Sequence, residues 1–198
     1  DVSTLTFAMH FNLSTSSGNT PYGRMVYSAS NALFYGLTSK GGTSDKGVLY
    51  SFNPATNAYV VRYNLNSGNA ANPYAGLLED GAGMLYGTVS TQGSNGSGAI
   101  FRFLTATVNY TELLPLGRST GAYPKGSLLQ ASNGLFYGLA SGGGTSSVGT
   151  VFSIDPADWI EEAGDWTLAG GGTVWQSPTS TPSGLHVIKS NNPHPDGD

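Results

Sequence analysis

The sequence predicts an all-β protein of three tandem four-stranded units, followed by a divergent C-terminal segment with one short helix. Three observations predict it. The 198 residues include 29 glycines and 11 tyrosines with abundant Ser, Thr and Asn, a composition that favours short strands and tight turns over long helices. A Tyr-Gly pair recurs as Tyr35-Gly36, Tyr86-Gly87 and Tyr137-Gly138, at intervals of 51 residues (86 minus 35, 137 minus 86). The flanks of each pair repeat as well, with the β-branched and aromatic content of strands.

Each unit supplies four strand signatures in turn. The opening strand is Phe7 to Leu13, matched by Tyr59 to Leu65 and, more loosely, by Tyr110 to Leu116. Pro21, Pro73 and Pro124 then lead into the apolar pairs Met25-Val26, Leu77-Leu78 and Leu128-Leu129, a second strand. The third carries the Tyr-Gly pair, over Leu33 to Ser39, Leu85 to Ser90 and Leu135 to Ser141. A Gly/Ser-rich turn leads to the fourth, at Gly47 to Tyr50, Gly98 to Phe101 and Gly149 to Phe152. The units run over about 1–52, 53–103 and 104–155.

A four-stranded sheet of this size cannot bury both faces alone, so the repeat predicts β-propeller-like blades that stack. In the Tyr-Gly pair, glycine marks a close approach or a kink, and tyrosine covers the thinned face. These six residues are structural before they are functional.

Residues 156–198 drop the pattern and form either a degenerate blade or an assembly tail. Asp155 reads as a helix N-cap, Pro156 as the first helical residue, Asp158 as favourable to the helix dipole and Gly164 as the stop. Strands are expected at Trp166 to Ala169, Thr173 to Ser177 and Leu185 to Lys189, then a polar stretch from Asn191 to Asp198 with the character of a linker.

Charge excludes several functions. Only 10% of residues are charged, the net charge is −4 and no basic run occurs, so nothing tracks a nucleic-acid backbone. There are no cysteines for disulfides, thiol catalysis or zinc clusters. No apolar run reaches the roughly 20 residues of a membrane span, and Asp1 to Thr6 is not a signal peptide, so an exported form would be the mature chain.

Gly126-Ser127-Leu128-Leu129, Asn133-Gly134-Leu135-Phe136-Tyr137-Gly138, Gly142-Gly143 and Gly149-Thr150-Val151-Phe152 form the best-preserved copy. Together they resemble the GloVer repeat of bacterial tandem-repeat proteins, over roughly residues 1 to 155. The resemblance implies an exported chain of propeller-like blades and offers no catalytic residues to carry over. The sequence departs from the pattern in having three clear copies and a tail without it.

Candidate chemistry is thin. Glu79-Asp80, Glu112 and Asp45 each occur in one repeat only and read as solvated acids. Asp155, Asp158, Glu161, Glu162 and Asp165 are the densest charge but lack EF-hand spacing. His10, His186 and His194 are isolated in sequence. No nucleophile elbow is present, and Gly142-Gly143-Gly144 joins strands instead of opening a helix, so no phosphate cradle, metal or cofactor is predicted. Tyr22, Tyr74 and Tyr123 lie beside the recurring proline and read either as lids between blades or as stacking platforms for sugars.

Three blades are fewer than the roughly four to eight that close a propeller, so terminal edges should stay open unless Asp1 to Leu13 or the tail covers them. The sequence therefore predicts a non-catalytic extracellular or cell-surface structural or adhesive protein, with itself as partner in an oligomer or filament. The alternative is a carbohydrate-binding module for surface glycans, using the repeated tyrosines or Trp159, Trp166 and Trp175.

Overall fold

The computed structural model describes residues 6–68, 70–161 and 186–188, the stretches 158–161 and 186–188 by backbone alone. Within residues 6–154 it contains three four-stranded antiparallel sheets, as the repeat predicts. Sheet 1 is built from β1 (Val26–Ser28), β2 (Leu33–Thr38), β3 (Val48–Asn53) and β4 (Ala58–Asn64), each paired with the next. Sheet 2 repeats this order with β5 (Leu78–Glu79), β6 (Met84–Val89), β7 (Ala99–Leu104) and β8 (Asn109–Pro115).

Sheet 3 differs. β9 (Ala122–Pro124) and β10 (Leu129–Gln130) both pair with β11 (Phe136–Gly142), at Ala140 and Gly142 and at Phe136 and Tyr137 respectively. β12 (Thr150–Ile154) pairs with the other side of β11. Among the described residues no strand follows on the outer edge of β12, where β4 and β8 stand in the other two sheets.

The expected opening strand is corrected by this pairing. Phe7 to Leu13 is not a strand, and the segments it matches close the sheet before them: Tyr59 lies in β4 and Tyr110 in β8. A four-residue turn sends the chain from Asn53 straight back to Ala58, with the Asn53 side chain accepting from the Ala55 and Thr56 amides. So short a connection leaves β4 nowhere to pair but against β3. The same turn from Leu104 to Asn109 places β8 on β7.

Register repeats down to its irregularities. Both outer ladders carry a bulge at the same place, between Leu49 and Tyr50 and between Ile100 and Phe101. The glycine directly before β3, β7 and β12 has positive φ, 101° at Gly47, 96° at Gly98 and 117° at Gly149, a conformation that costs side chains but not glycine. Its carbonyl accepts from the residue after the fourth strand, Leu65 to Gly47 at 3.0 Å and Leu116 to Gly98 at 2.8 Å.

The core lies between sheets. Tyr35, Leu37 and Leu49 of sheet 1 form one buried cluster with Leu85, Val89, Phe101 and Phe103 of sheet 2. Sheet 3 joins sheet 2 through Phe136, met edge-on by Tyr86 with centroids 4.8 Å apart. Ser90 Oγ donates to the Pro124 carbonyl, and the Tyr123 amide donates to the Ser97 carbonyl at 2.8 Å.

Residues 155–198 form a separate unit. The predicted helix is a single 3-10 turn, Pro156–Asp158, with Asp155 Oδ1 accepting from the Ala157 amide at 2.9 Å as an N-cap does. It does not run on towards Gly164, because β13 (Trp159–Glu161) follows at once and pairs with β14 (His186–Ile188). β14 falls within the strand expected at Leu185 to Lys189. The strands expected at Trp166 to Ala169 and Thr173 to Ser177, Gly164 itself and the stretch Asn191 to Asp198 lie outside the described residues. No helix among the described residues is long and apolar enough to cross a membrane.

Candidate functional site

The Tyr-Gly pairs are architecture, buried in sheets 1 and 2, with Tyr137 of sheet 3 half-buried. Gly36, Gly87 and Gly138 stand opposite Tyr50, Phe101 and Phe152 on the next strand. In all three sheets that aromatic ring occupies the space a Cβ on the glycine would need. The ring covering each glycine is thus the cross-strand aromatic and not the adjacent tyrosine, whose side chain emerges on the opposite face. Tyr35 is buried and its hydroxyl meets Asn31 Nδ2 at 2.9 Å, as Tyr137 meets Asn133.

The repeat exposes a different candidate site when equivalent positions are compared. Leu37 and Leu49 of sheet 1 are 2% and 0% exposed, whereas their counterparts in sheet 3, Leu139 and Val151, are 58% and 77% exposed. On the opposite side of the row the pattern reverses. Met25 of sheet 1 is 49% exposed, while its counterparts Leu77 and Leu128 are buried. Sheet 2 therefore packs against sheet 1 with one face and against sheet 3 with the other, and among the described residues Met25 of sheet 1 and Leu139 and Val151 of sheet 3 are left exposed on the outward faces.

On the sheet 3 side the open face forms a shallow groove of about 460 Å³, lined by Leu139, Val148 and Val151 with Thr150, Lys125 and Gly126 at its margin. Its outer limit is the edge of β12. The sequence reading missed Leu139 and Val151, although the signal was there: both sit in register with core positions of the earlier units, and the pattern that would cover them stops at Asp155.

The predicted tyrosine platforms divide. Tyr22 and Tyr74 are brought together, with ring centroids 5.2 Å apart and planes tilted by 49°, and both are exposed. Tyr123 lies on β9 before its proline instead of after it, with φ of 56°, and its ring lies over Gly142.

The acids serve turns. Asp80 Oδ1 accepts from the Ala82 and Met84 amides, and Asp45 Oδ1 accepts from the Gly41 amide. Glu112 takes the Ser94 amide and hydroxyl, and Glu79 takes the Ser28 hydroxyl and the Gly81 amide. His10 Nδ1 is 2.7 Å from Asn57 Oδ1. Among the described residues no three His, Asp or Glu side chains converge on a metal site. The Asp158 and Glu161 carboxylates, Glu162, Asp165, His194 and the three tryptophan side chains lie outside the described residues.

Tyrosine ionisation is the main electrostatic feature. Burial raises Tyr50 and Tyr59 above the usual tyrosine range, Tyr50 adding to the effect on Tyr59. Tyr110 is raised well above it, by burial first and then by Tyr63 and Glu112, and its buried hydroxyl has no hydrogen-bond partner.

The repeated, offset pairing of sheets fits the result of comparison with known families, in which the profile of the Gloeobacter/Verrucomicrobia repeat matches residues 1–190. The chain belongs to that family. The match extends past Asp155, beyond the stretch over which the motif is legible by eye. No curated protein matches the sequence. In this Gloeobacter/Verrucomicrobia repeat chain, the candidate site is accordingly the pair of open sheet faces.

Proposed function

We propose that this chain is a non-catalytic structural repeat protein of the cell exterior, whose sheets are propeller-type blades and whose activity is assembly with copies of itself. The observation that carries the reading is the exposure of Leu139 and Val151 where Leu37 and Leu49 are buried. An apolar face that its own repeat buries twice over is made for burial, and at the end of the row only another molecule or another repeat offers the matching face. Low charge and a β-rich surface suit that use.

Light scattering across a dilution series tests this. Assembly through the open faces requires a concentration-dependent mass that Val151→Asp and Leu139→Asp reduce to that of one chain. A wild-type protein that stays monomeric up to high micromolar concentration would sink the proposal.

A second reading, a carbohydrate-binding module, is favoured by the exposed and mutually tilted rings of Tyr22 and Tyr74. It requires that a glycan array show binding and that the paired substitutions Tyr22→Ala and Tyr74→Ala abolish it. Unchanged binding in that variant would leave the rings as packing groups.

A further inference from the structure

Two open features of the fold are complementary. Sheet 3 has no strand on the outer edge of β12 among the described residues, and Phe7 to Leu13, whose sequence matches β4 and β8, pairs with none. In register, Phe7, Phe11 and Leu13 correspond to Tyr59, Tyr63 and Leu65 of sheet 1 and to Tyr110, Leu114 and Leu116 of sheet 2. The chain segment in the matching position after β12 carries Glu161 where those strands have tyrosine, and there β13 pairs with β14.

The placement of Phe7 to Leu13 shows what it is prepared for. Tyr63, in the fourth strand of sheet 1, stacks on Tyr110 of sheet 2 with centroids 4.7 Å apart and planes 5° from parallel, and Tyr110 stacks on Phe101 at 4.9 Å. One repeat earlier the same three positions are Phe11, Tyr59 and Tyr50. Phe11 stacks on Tyr59 at 4.2 Å and 0°, and Tyr59 stacks on Tyr50 at 4.7 Å. Phe11 therefore stands against sheet 1 as Tyr63, in the fourth strand of sheet 1, stands against sheet 2.

From this match we infer that Phe7 to Leu13 completes sheet 3 of a second copy of the chain. Sheet 3 of one copy docks on the open face of sheet 1 of its partner, around Met25, and β12 takes the partner's Phe7 to Leu13 as its fourth strand. This rests on the assembly reading above and specifies its partner and register. A single docking step covers both the open face of sheet 3 and its open edge.

The register follows from the two complete sheets. Val48 pairs with Asn64 and Ala99 with Pro115, so Thr150 pairs with Asn12. Leu49 pairs with Tyr63 and Ile100 with Leu114, so Val151 pairs with Phe11. Beyond the bulge, Phe52 and Phe103 pair with Tyr59 and Tyr110, which sets Ile154 opposite the exposed Phe7. The Leu13 amide then donates to the Gly149 carbonyl, as Leu65 does to Gly47 and Leu116 to Gly98.

The number of copies follows from the described sheets and the size of a closed ring. Rings of stacked sheets close with about four to eight members, and the three four-stranded sheets described in each chain make six in two copies. The assembly is a closed two-fold dimer of six sheets in which each copy donates one strand and receives one.

The natural absence of cysteine makes the test clean. Full-length Asn12→Cys and Thr150→Cys chains, unfolded together, refolded as an equal mixture and mildly oxidised, should give a disulfide-linked dimer from up to about half of the chains, the share of mixed pairs in a random two-fold dimer. Ala8→Cys mixed with Thr150→Cys, four residues out of register, should give none. Full-length Phe11→Pro should stay at the mass of one chain at concentrations where the wild type has twice that mass. A wild type that assembles without the Asn12–Thr150 disulfide overturns the strand donation and leaves the assembly reading standing, whereas a monomeric wild type removes both. Assemblies that grow past two copies, or an internal disulfide in a chain carrying both substitutions, overturn the closed dimer.

Discussion

Ser28 Oγ donates to Glu79 Oε1 at 3.0 Å, joining two residues 51 positions apart and tying the first strand of sheet 1 to that of sheet 2. A second bond of the same separation, from the Gly76 amide to Ser127 Oγ at 2.8 Å, ties sheet 2 to sheet 3. In these two bonds the interval between the partners equals the period of the sequence.

Because Ser28 is fully buried, Ser28→Ala removes a bond to a carboxylate that retains only its turn contact to Gly81. A loss of about 1.5–3 kcal/mol is expected for a bond to a charged group. Urea unfolding followed by tryptophan and tyrosine fluorescence measures it. A change within experimental error would show that Glu79 simply turns to water.

A Cβ on Gly87 would lie 2.6 Å from the Phe101 ring and 3.0 Å from Leu77 Cδ2. Gly87→Ala is therefore expected to cost about 1–3 kcal/mol, the usual penalty for overpacking. Gly87→Ala combined with Phe101→Leu should recover part of that loss, since the clash is with the ring. Calorimetric melting of both variants decides whether cross-strand aromatic cover is the reason for the glycine.

Leu49 and Val151 occupy equivalent positions with opposite surroundings. At dilutions that keep the chain monomeric, Leu49→Ala should cost about 2–5 kcal/mol and Val151→Ala no more than about 0.5 kcal/mol. At higher concentration the second variant should weaken self-association, read as a shift in the light-scattering midpoint.

Tyr110 titrates above its ordinary value of 10.0 because the buried ring disfavours the phenolate. A group whose folded pKa is raised contributes its stability fully below the unfolded value, and that contribution is lost as pH climbs from about 10 towards the folded pKa. Unfolding midpoints should therefore fall with rising pH in the alkaline range, and Tyr110→Phe should flatten the fall. At neutral pH this substitution should leave stability unchanged or raise it, since the hydroxyl it removes has no partner.

The second, third and fourth strand signatures of each unit and the positions of the Tyr-Gly pairs were legible because strand signals are local: alternation, turn glycines and a period of 51 residues. Sheet boundaries were not. The segment beginning at Tyr59 is as good an opening strand as a closing one, and only the Asn53 turn, which folds Ala58 back on β3, assigns it to sheet 1. A helix from Asp155 to Gly164 failed for a related reason. Its capping chemistry is real at Asp155, but pairing with His186–Ile188 holds Trp159–Glu161 extended after one turn.

By itself, the sequence determined that this protein is an all-β tandem repeat with a glycine and an aromatic ring at fixed places in every unit, because those demands act within a hairpin. The tertiary structure alone decided which residues form the site. Leu37, Leu139, Leu49 and Val151 are interchangeable in pattern, and their burial depends on whether another sheet lies against them. Burial is a property of the neighbour, and a repeat describes the neighbour only where there is a next unit to supply it.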